Sequence, residues 1–478
     1  MRKKHLLLMM LSATCLASVA QQPPISHIEV NNVRATILGN GSCFVPQHEN
    51  YDGNYNQLPP NCTTWEVPQG SGKETVYQHS LWFGGLDAAD SLHLAARRLG
   101  QEYNAQGAIT DYWSGPLKTT DASIDLKTTL KFHRVWNLTR VEIDDFIANH
   151  GNAGYQTPDD ILTWPAHGEA GYAENLAPFV DVNNDGHYNP ADGDYPEIKG
   201  DQCLFFIFND SFGEHSEAHG GKLGLEVHAM VYAFNAANDE ALNNTVFVNY
   251  KFYNRSSNNY HNTYLGLWND WDIGYQHDDY VGCDVQRNSC YAYNGTPVDG
   301  EDQPTGYGDN PPVQVLTVLN GPDGLGMTGF MYHNHTNDIN GDPTYTEEYY
   351  LYLQGCWKNG VHMQYGGNAC FGDDVVGPDC NYMFPGDSDP ENIGTGGLAP
   401  NGGYNTNGHY WTEEESNNEP GDRLGLAMVG PFDFAAGEMH ELDYAMITVW
   451  KDNNQSALER KGAFIDHVRE LFNNGFAK

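Results

Sequence analysis

Through several stretches of this chain apolar residues recur at every second position, and over its last twenty residues they recur with the period of a helix. In TVFVNYKFYN (245–254) Val246, Val248, Tyr250 and Phe252 share one face while Asn249 and Lys251 point the other way, the pattern of a strand. LKFHRVWNLTR (130–140), QCLFFIFND (202–210), LGLEVHAMVYAF (223–234) and HELDYAMITVW (440–450) read as further strands, some apolar enough for burial on both faces. Gly- and Asn-rich loops separate them. The expected fold class is therefore mainly β, a β-sandwich or jelly roll with long loops. Ser456 to Glu459 form a capping box, and Leu458, Phe464, Ile465, Val468, Leu471 and Phe472 make one apolar stripe. Residues 456–475 are thus expected to form an amphipathic helix, ended by Gly475. VEIDDFIANHG (141–151) predicts a shorter helix. Residues 21–455 read as one β-rich region, in which the loop-rich stretch 296–425 is either a second lobe or elaborated loops.

The first twenty residues stand apart from this pattern. Arg2, Lys3 and Lys4 precede an apolar run from Leu6 to Ala13, and Ser18-Val19-Ala20 offers small residues for cleavage. That is the composition of a secretory signal peptide, too short to span a bilayer. No later stretch approaches the roughly 18 apolar residues of a transmembrane helix. The expected location is therefore secreted or cell-surface, with the periplasm as the other possibility.

Charge narrows the partners. Against 63 acidic residues the chain has 24 basic ones, and removing the leader leaves 21, so the net charge moves from −39 to about −42. A field of that sign repels nucleic acid and anionic membranes, and both are excluded as partners. Aromatic residues make up 12% of the chain and apolar residues 40%, enough to form a core, so the acidity is not a mark of disorder. Counter-ions, divalent cations above all, would relieve the self-repulsion. Eight cysteines follow the leader: Cys43, Cys62, Cys203, Cys283, Cys290, Cys356, Cys370 and Cys380. An even number in an exported chain predicts disulfides, with pairing left open, and the absence of a CxxC pair argues against zinc or redox roles for them.

The strongest candidate site is DVNNDGHYNPADGDYP (181–196). Read as a calcium loop, Asp181, Asn183 and Asp185 occupy positions 1, 3 and 5, Gly186 the turn position, and Asn189 and Asp192 positions 9 and 12. His187 would supply a backbone carbonyl at position 7. Carboxylate and amide oxygens suit a hard cation, and calcium is the expected cofactor, within a segment running from 178 to 202. The plain alternative is a polar turn, which Asn, Asp and Gly favour by themselves. A second, weaker metal candidate is NDWDIGYQHDDYVGCD, with Asp270, Asp272, Asp278, Asp279 and Asp284 close in sequence, where like charges are costly unless solvated or bridged by a cation. FPGDSDPE (384–391) and NDINGD (337–342) read as turns.

No catalytic site emerges. His215 and His219 in EHSEAH lie among glycines that argue against a helix, and HNH (333–335) is too short to signify a nuclease. There is no GxSxG and no P-loop. Trp271, Trp357 and Trp411 offer either aromatic platforms for a glycan or ordinary core packing. A binding or structural role is the expectation, with a glycan or a cell-surface protein as partner. A polysaccharide hydrolase using a carboxylate pair and a surface adhesin are the alternatives.

Several phrases together resemble one family: exported Bacteroidota proteins, mostly of unknown function, many of which carry a type IX secretion sorting domain. The phrases are LWFGGLDA (81–88), LTWPAHG (162–168), LAPFVDVNNDGHYNPADGDYPEIKGDQ (176–202), DDYVGCD (278–284), EYYLYLQGCWKNG (348–360), FPGDSDP (384–390) and GPFDF (430–434). Their calcium-loop spacing is similar to that of dockerin modules, though Pro190, Gly193 and Pro196 deny it the following helix. The resemblance implies a secreted or surface-held β-rich region with calcium at Asp181, Asn183, Asp185 and Asp192. Such proteins usually continue into further β domains and a sorting domain. The present sequence ends at Lys478 without them, so type IX export and surface anchoring are not carried over from the resemblance, and a Sec-exported periplasmic or released protein is left as an alternative.

Overall fold

The computed structural model describes residues 24–41, 64–98, 109–370, 377–398 and 410–476. The leader read at 1–20, and Cys43 and Cys62, lie outside the described residues. The strands, in chain order, are β1 (Ile25–Ile28), β2 (Arg34–Leu38), β3 (Trp65–Glu66), β4 (Val76–Leu86), β5 (Leu92–Ala95), β6 (Trp113–Ser114), β7 (Trp136–Thr139), β8 (Phe179–Val180), β9 (Tyr195–Pro196) and β10 (Gln202–Asn209). Then follow β11 (Leu225–Ala233), β12 (Thr245–Asn254), β13 (Tyr260–Trp271), β14 (Asp279–Asp284), β15 (Ser289–Asn294), β16 (Val313–Asn320), β17 (Gly329–His333), β18 (Arg423–Phe434) and β19 (Met439–Val449). Two sheets carry the fold. One has nine strands, ordered β14-β15-β16-β19-β12-β11-β10-β6 with β7 also on β10; the other has five, ordered β17-β18-β13-β4-β5. The fold is mainly β and sandwich-like, as the alternation predicts.

Period-two alternation explains the layers. On β12, Val246, Val248, Tyr250 and Phe252 face the five-stranded sheet, where Phe83 of β4 lies 5.4 Å from Phe252, ring centre to ring centre. Phe247 points the other way, into a second core with Phe205, Tyr232, Ile447 and the helix Ala457–Asn473. The nine-stranded sheet is thus buried on both faces, which is why its strands read as near-continuous apolar runs. That last helix begins at the predicted capping box, with Ser456 and Glu459 bonded reciprocally, and it buries Phe464, Ile465 and Val468. The shorter predicted helix is Arg140–Asn149, and LKFHRVWNLTR divides into the helical turn Leu126–Lys131 and β7. The stretch 296–425 supplies β16 to one sheet and β17 to the other. Among its described residues, Tyr349, Trp357 and Trp411 join the core between and around them.

Polar side chains also stitch the two sheets. His79 of β4 is fully buried between Asn269 Oδ1 at 2.8 Å and the Tyr444 hydroxyl at 2.7 Å. Burial pushes its pKa down to about 4, outweighing the hydrogen bond that its Nδ1–H donates to Asn269 Oδ1. The group is therefore neutral in the folded state, and its contribution is fully present above the ordinary value of 6.5 and lost as pH falls through about 4. The difference corresponds to about 3 kcal/mol. Urea unfolding between pH 7.5 and 4 should show wild-type stability falling by about that much more than the stability of His79→Gln. Equal losses would remove His79 from the acid response.

The expectation of disulfides is not met among the described cysteines. Cys203, Cys283, Cys290, Cys356, Cys370 and Cys380 are all free thiols. Cys283 and Cys290 lie directly opposite each other on β14 and β15, yet the Cys283 thiol donates to the Met383 carbonyl at 3.2 Å. Both are packed in the core, and burial pushes both thiols up, away from the reactive thiolate. They behave here as small apolar side chains.

Candidate functional site

Strand register brings one candidate site together. Asp270 on β13 lies opposite Leu424 on β18, and Leu424 lies opposite His333 on β17. By the pleat, these three and Trp268 project from the face turned away from the nine-stranded sheet. Two residues further along this face, where the ladder ends, come Asp422 and His335. The Asp270 and Asp422 carboxylates and the His335 ring offer ligand atoms that all lie within 4.8 Å of one another. Among the described residues no other group of three His, Cys, Asp or Glu side chains meets that distance.

The floor of the site is buried and its outer side is partly exposed. Asp270 is 4% exposed, and its carboxylate has no hydrogen-bond or ion-pair partner among the described residues. Asp422 keeps one buried oxygen, Oδ1, without a partner, while the His335 side chain is 31% exposed. Burial first, and then the Asp422 charge, hold Asp270 well above the usual carboxylate range; Asp272, next to it, is raised by burial and by Asp270. Burial and mutual repulsion thus disfavour the ionised form of these carboxyls, a penalty that a bound cation would relieve.

A chain of polar contacts stands behind His335. Its Nδ1 is 3.2 Å from Asp342 Oδ2, and its Nε2 is 3.9 Å from Asp422 Oδ2. Asp342 Oδ1 is 2.7 Å from Arg98 Nη1 and 3.3 Å from His333 Nδ1. Trp268 Nε1 donates to His333 Nε2 at 3.0 Å. Burial acts to raise Asp342, but the bonds from His333 and His335 and the Arg98 charge hold it far below its ordinary value. The neighbouring cation is directed elsewhere: Arg423, next to Asp422, is bonded through Nε and Nη2 to Glu413 at 2.8 to 3.1 Å.

The acidic run predicted as a weaker metal candidate is divided by the fold. Asp270 belongs to this site and Asp272 borders it. Asp278 instead accepts from Thr296 Oγ1 and the Gly300 amide, at 2.9 and 3.1 Å. Asp279 accepts from the Ile273 amide at 2.9 Å, and Asp284 pairs with Arg287 at 3.1 Å. Four residues of the site and its support were missed in the sequence. His333 and His335 belong to the HNH triplet set aside as too short, and Asp342 to NDINGD, taken for a turn. Asp422 carried no local signal.

The loop 181–194 is built from successive side-chain-to-backbone turns. Asp181 accepts from the amides of Asn184 at 2.7 Å, Asp185 at 3.3 Å and Gly186 at 2.7 Å. Asn183 accepts from the Asp185 amide at 3.0 Å, and Asp185 from the His187 amide at 2.8 Å. Gly186 at the turn position has φ +80°, a region costly for other residues. Asn189 Nδ2 donates to Asp192 Oδ2 at 2.6 Å. Asp194, outside the predicted ligand set and fully buried, closes the loop by accepting from the Val182 and Asn189 amides at 2.9 Å each. Asp181, Asp185 and Asp192 are not drawn within 4.8 Å of one another as the Asp270 group is.

Trp271, Trp357 and Trp411 are not platforms. They are 0%, 1% and 0% exposed, fixed in the core. His215 is buried between the carbonyls of Leu94 at 2.8 Å and Asp210 at 2.7 Å, a structural placement. Among the described residues no helix is long and apolar enough to cross a membrane. No protein-family model matches the chain, and no curated protein matches it.

Proposed function

We propose that this chain is an exported, calcium-stabilised β-rich protein of the cell envelope or exterior, acting through structure or ligand binding. What supports the reading best is the loop 181–194. In it positions 1, 3 and 5 each turn an oxygen back onto the chain two to five residues on, around a glycine of positive φ, with the buried Asp194 holding the ends together. Such a loop is largely ordered before an ion arrives, which lowers the conformational cost of binding one. Carboxylate and amide oxygens on an exposed loop are the ligands calcium takes. The partner class is a glycan or a neighbouring surface protein. With its three candidate tryptophans in the core, a glycan would be recognised by polar groups of the loops.

Calcium at a thousandfold excess over its Kd should stabilise the fold by about 4 kcal/mol. In thermal melts the chain should therefore melt several degrees lower in excess chelator than in excess calcium. The double variant Asp181→Ala, Asp185→Ala should melt alike in both. A wild type indifferent to chelation would end the proposal.

A further inference from the structure

We infer that Asp270, His335 and Asp422 form a binding site for a divalent transition ion of the zinc class, distinct from the calcium loop. The first argument is geometric. The 3.9 Å between His335 Nε2 and Asp422 Oδ2 is too long for a hydrogen bond. Two ligands each about 2.0–2.2 Å from one ion stand roughly 3–4 Å apart, so the gap fits an ion between them. Asp270, 4% exposed and without a hydrogen-bond or ion-pair partner among the described residues, supplies the third ligand from the floor.

The second argument is the proton inventory behind the site. An indole nitrogen only donates, so the Trp268 contact at 3.0 Å requires His333 Nε2 to be the unprotonated nitrogen. The His333 proton is then on Nδ1, beside Asp342 Oδ1 at 3.3 Å. Asp342 is left to accept from His335 Nδ1–H through Oδ2 at 3.2 Å. In the neutral ring this directs the His335 Nε2 lone pair toward Asp422 and Asp270. A carboxylate behind a histidine, itself fixed by Arg98, is the outer support that metal-ligating imidazoles use.

The third argument is ligand type. Calcium takes six to eight oxygens, whereas an imidazole with two carboxylates suits zinc and its first-row neighbours. Three protein ligands leave a coordination position on the exposed His335 side, open to water or a small ligand. Arg423, the cation that would otherwise neutralise Asp422, is held by Glu413.

The test uses the full chain, stripped with chelator and titrated with Zn(II) by calorimetry and with Co(II) by visible absorption. One equivalent of each should bind, with a Co(II) spectrum of low coordination number. His335→Gln and Asp270→Asn should each weaken Zn(II) binding by at least a hundredfold. Asp342→Asn should weaken it by roughly ten- to a hundredfold while leaving the stoichiometry at one. Asp181→Ala with Asp185→Ala should leave Zn(II) binding unchanged, which separates this site from the calcium loop. His335 lies on an exposed turn, so metal-free His335→Gln should melt within a few degrees of metal-free wild type, which controls for folding. No Zn(II) binding by the wild type, or binding by His335→Gln within threefold of it, would overturn the site and assign His335 as an imidazolium counter-charge. Either result would leave the calcium reading standing, because that rests on the Asp181 variants.

Discussion

Glu413→Ala should destabilise the protein by about 3–5 kcal/mol, the range for breaking a buried ion pair by removing one partner. The Glu413 side chain is 0% exposed and that of Arg423 6% exposed. Glu413 accepts from Arg423 Nε and Nη2 and from the Val281 amide of β14 at 2.7 Å, so one carboxylate ties β14 to β18. Its loss strands a guanidinium in the core and orphans an amide. The penalty belongs mainly to the unpaired charge, so Glu413→Leu with Arg423→Met should recover most of it. Guanidinium chloride unfolding of the two single variants and the double variant would measure the coupling. A loss below about 1 kcal/mol in Glu413→Ala would show that the pair is solvated and contributes little. The variant also bears on the metal site, since a released Arg423 sits one residue from Asp422 and can neutralise it.

Trp268→Ala should cost about as much, roughly 3–5 kcal/mol, for a different reason. Trp268 is fully buried, nearly parallel to Trp82 at 6.4 Å, with His333 6.4 Å away. Its removal opens a cavity that the paired strands on both sides cannot close, because their spacing is fixed by backbone hydrogen bonds. Trp268→Phe keeps most of the volume but deletes the donor to His333 Nε2, and should cost about 1–3 kcal/mol. The Phe variant should also weaken Zn(II) binding roughly tenfold, because His333 is then free to take the other tautomer and no longer constrains Asp342. Equal destabilisation by Ala and Phe would show that the hydrogen bond, and not the packing, dominates at this position. Unchanged Zn(II) affinity in Trp268→Phe would detach His333 from the site.

These effects were out of reach of local pattern. Alternation identified β10, β11, β12 and β19, because a strand's two faces are written two residues apart wherever a layer covers it. The capping box and apolar stripe placed the last helix for the same local reason. The turns of the 181–194 loop were legible too, since Asn and Asp bond to backbone only two to five residues away. The local signal misled where it stood in for long-range contact. Five aspartates between 270 and 284 looked like one cluster, but β13 ends and β14 begins between them. Asp270 is carried to one sheet, while Asp279 and Asp284 go to the other.

The sequence by itself determined the fold class, the helices at 140–149 and 457–473, the acidity that favours cations, and the loop 181–194. The tertiary structure alone decided which residues meet. His335, Asp342 and Asp422 lie between 65 and 152 positions beyond Asp270 in the chain, and only the pairing of β13, β18 and β17 sets them side by side. It likewise decided that the tryptophans are core and the six described thiols stay free. The physical reason is common to all of these: a side chain's neighbours along the chain are fixed by covalent geometry, whereas its neighbours across a sheet are fixed by strand order and register, which no short stretch encodes.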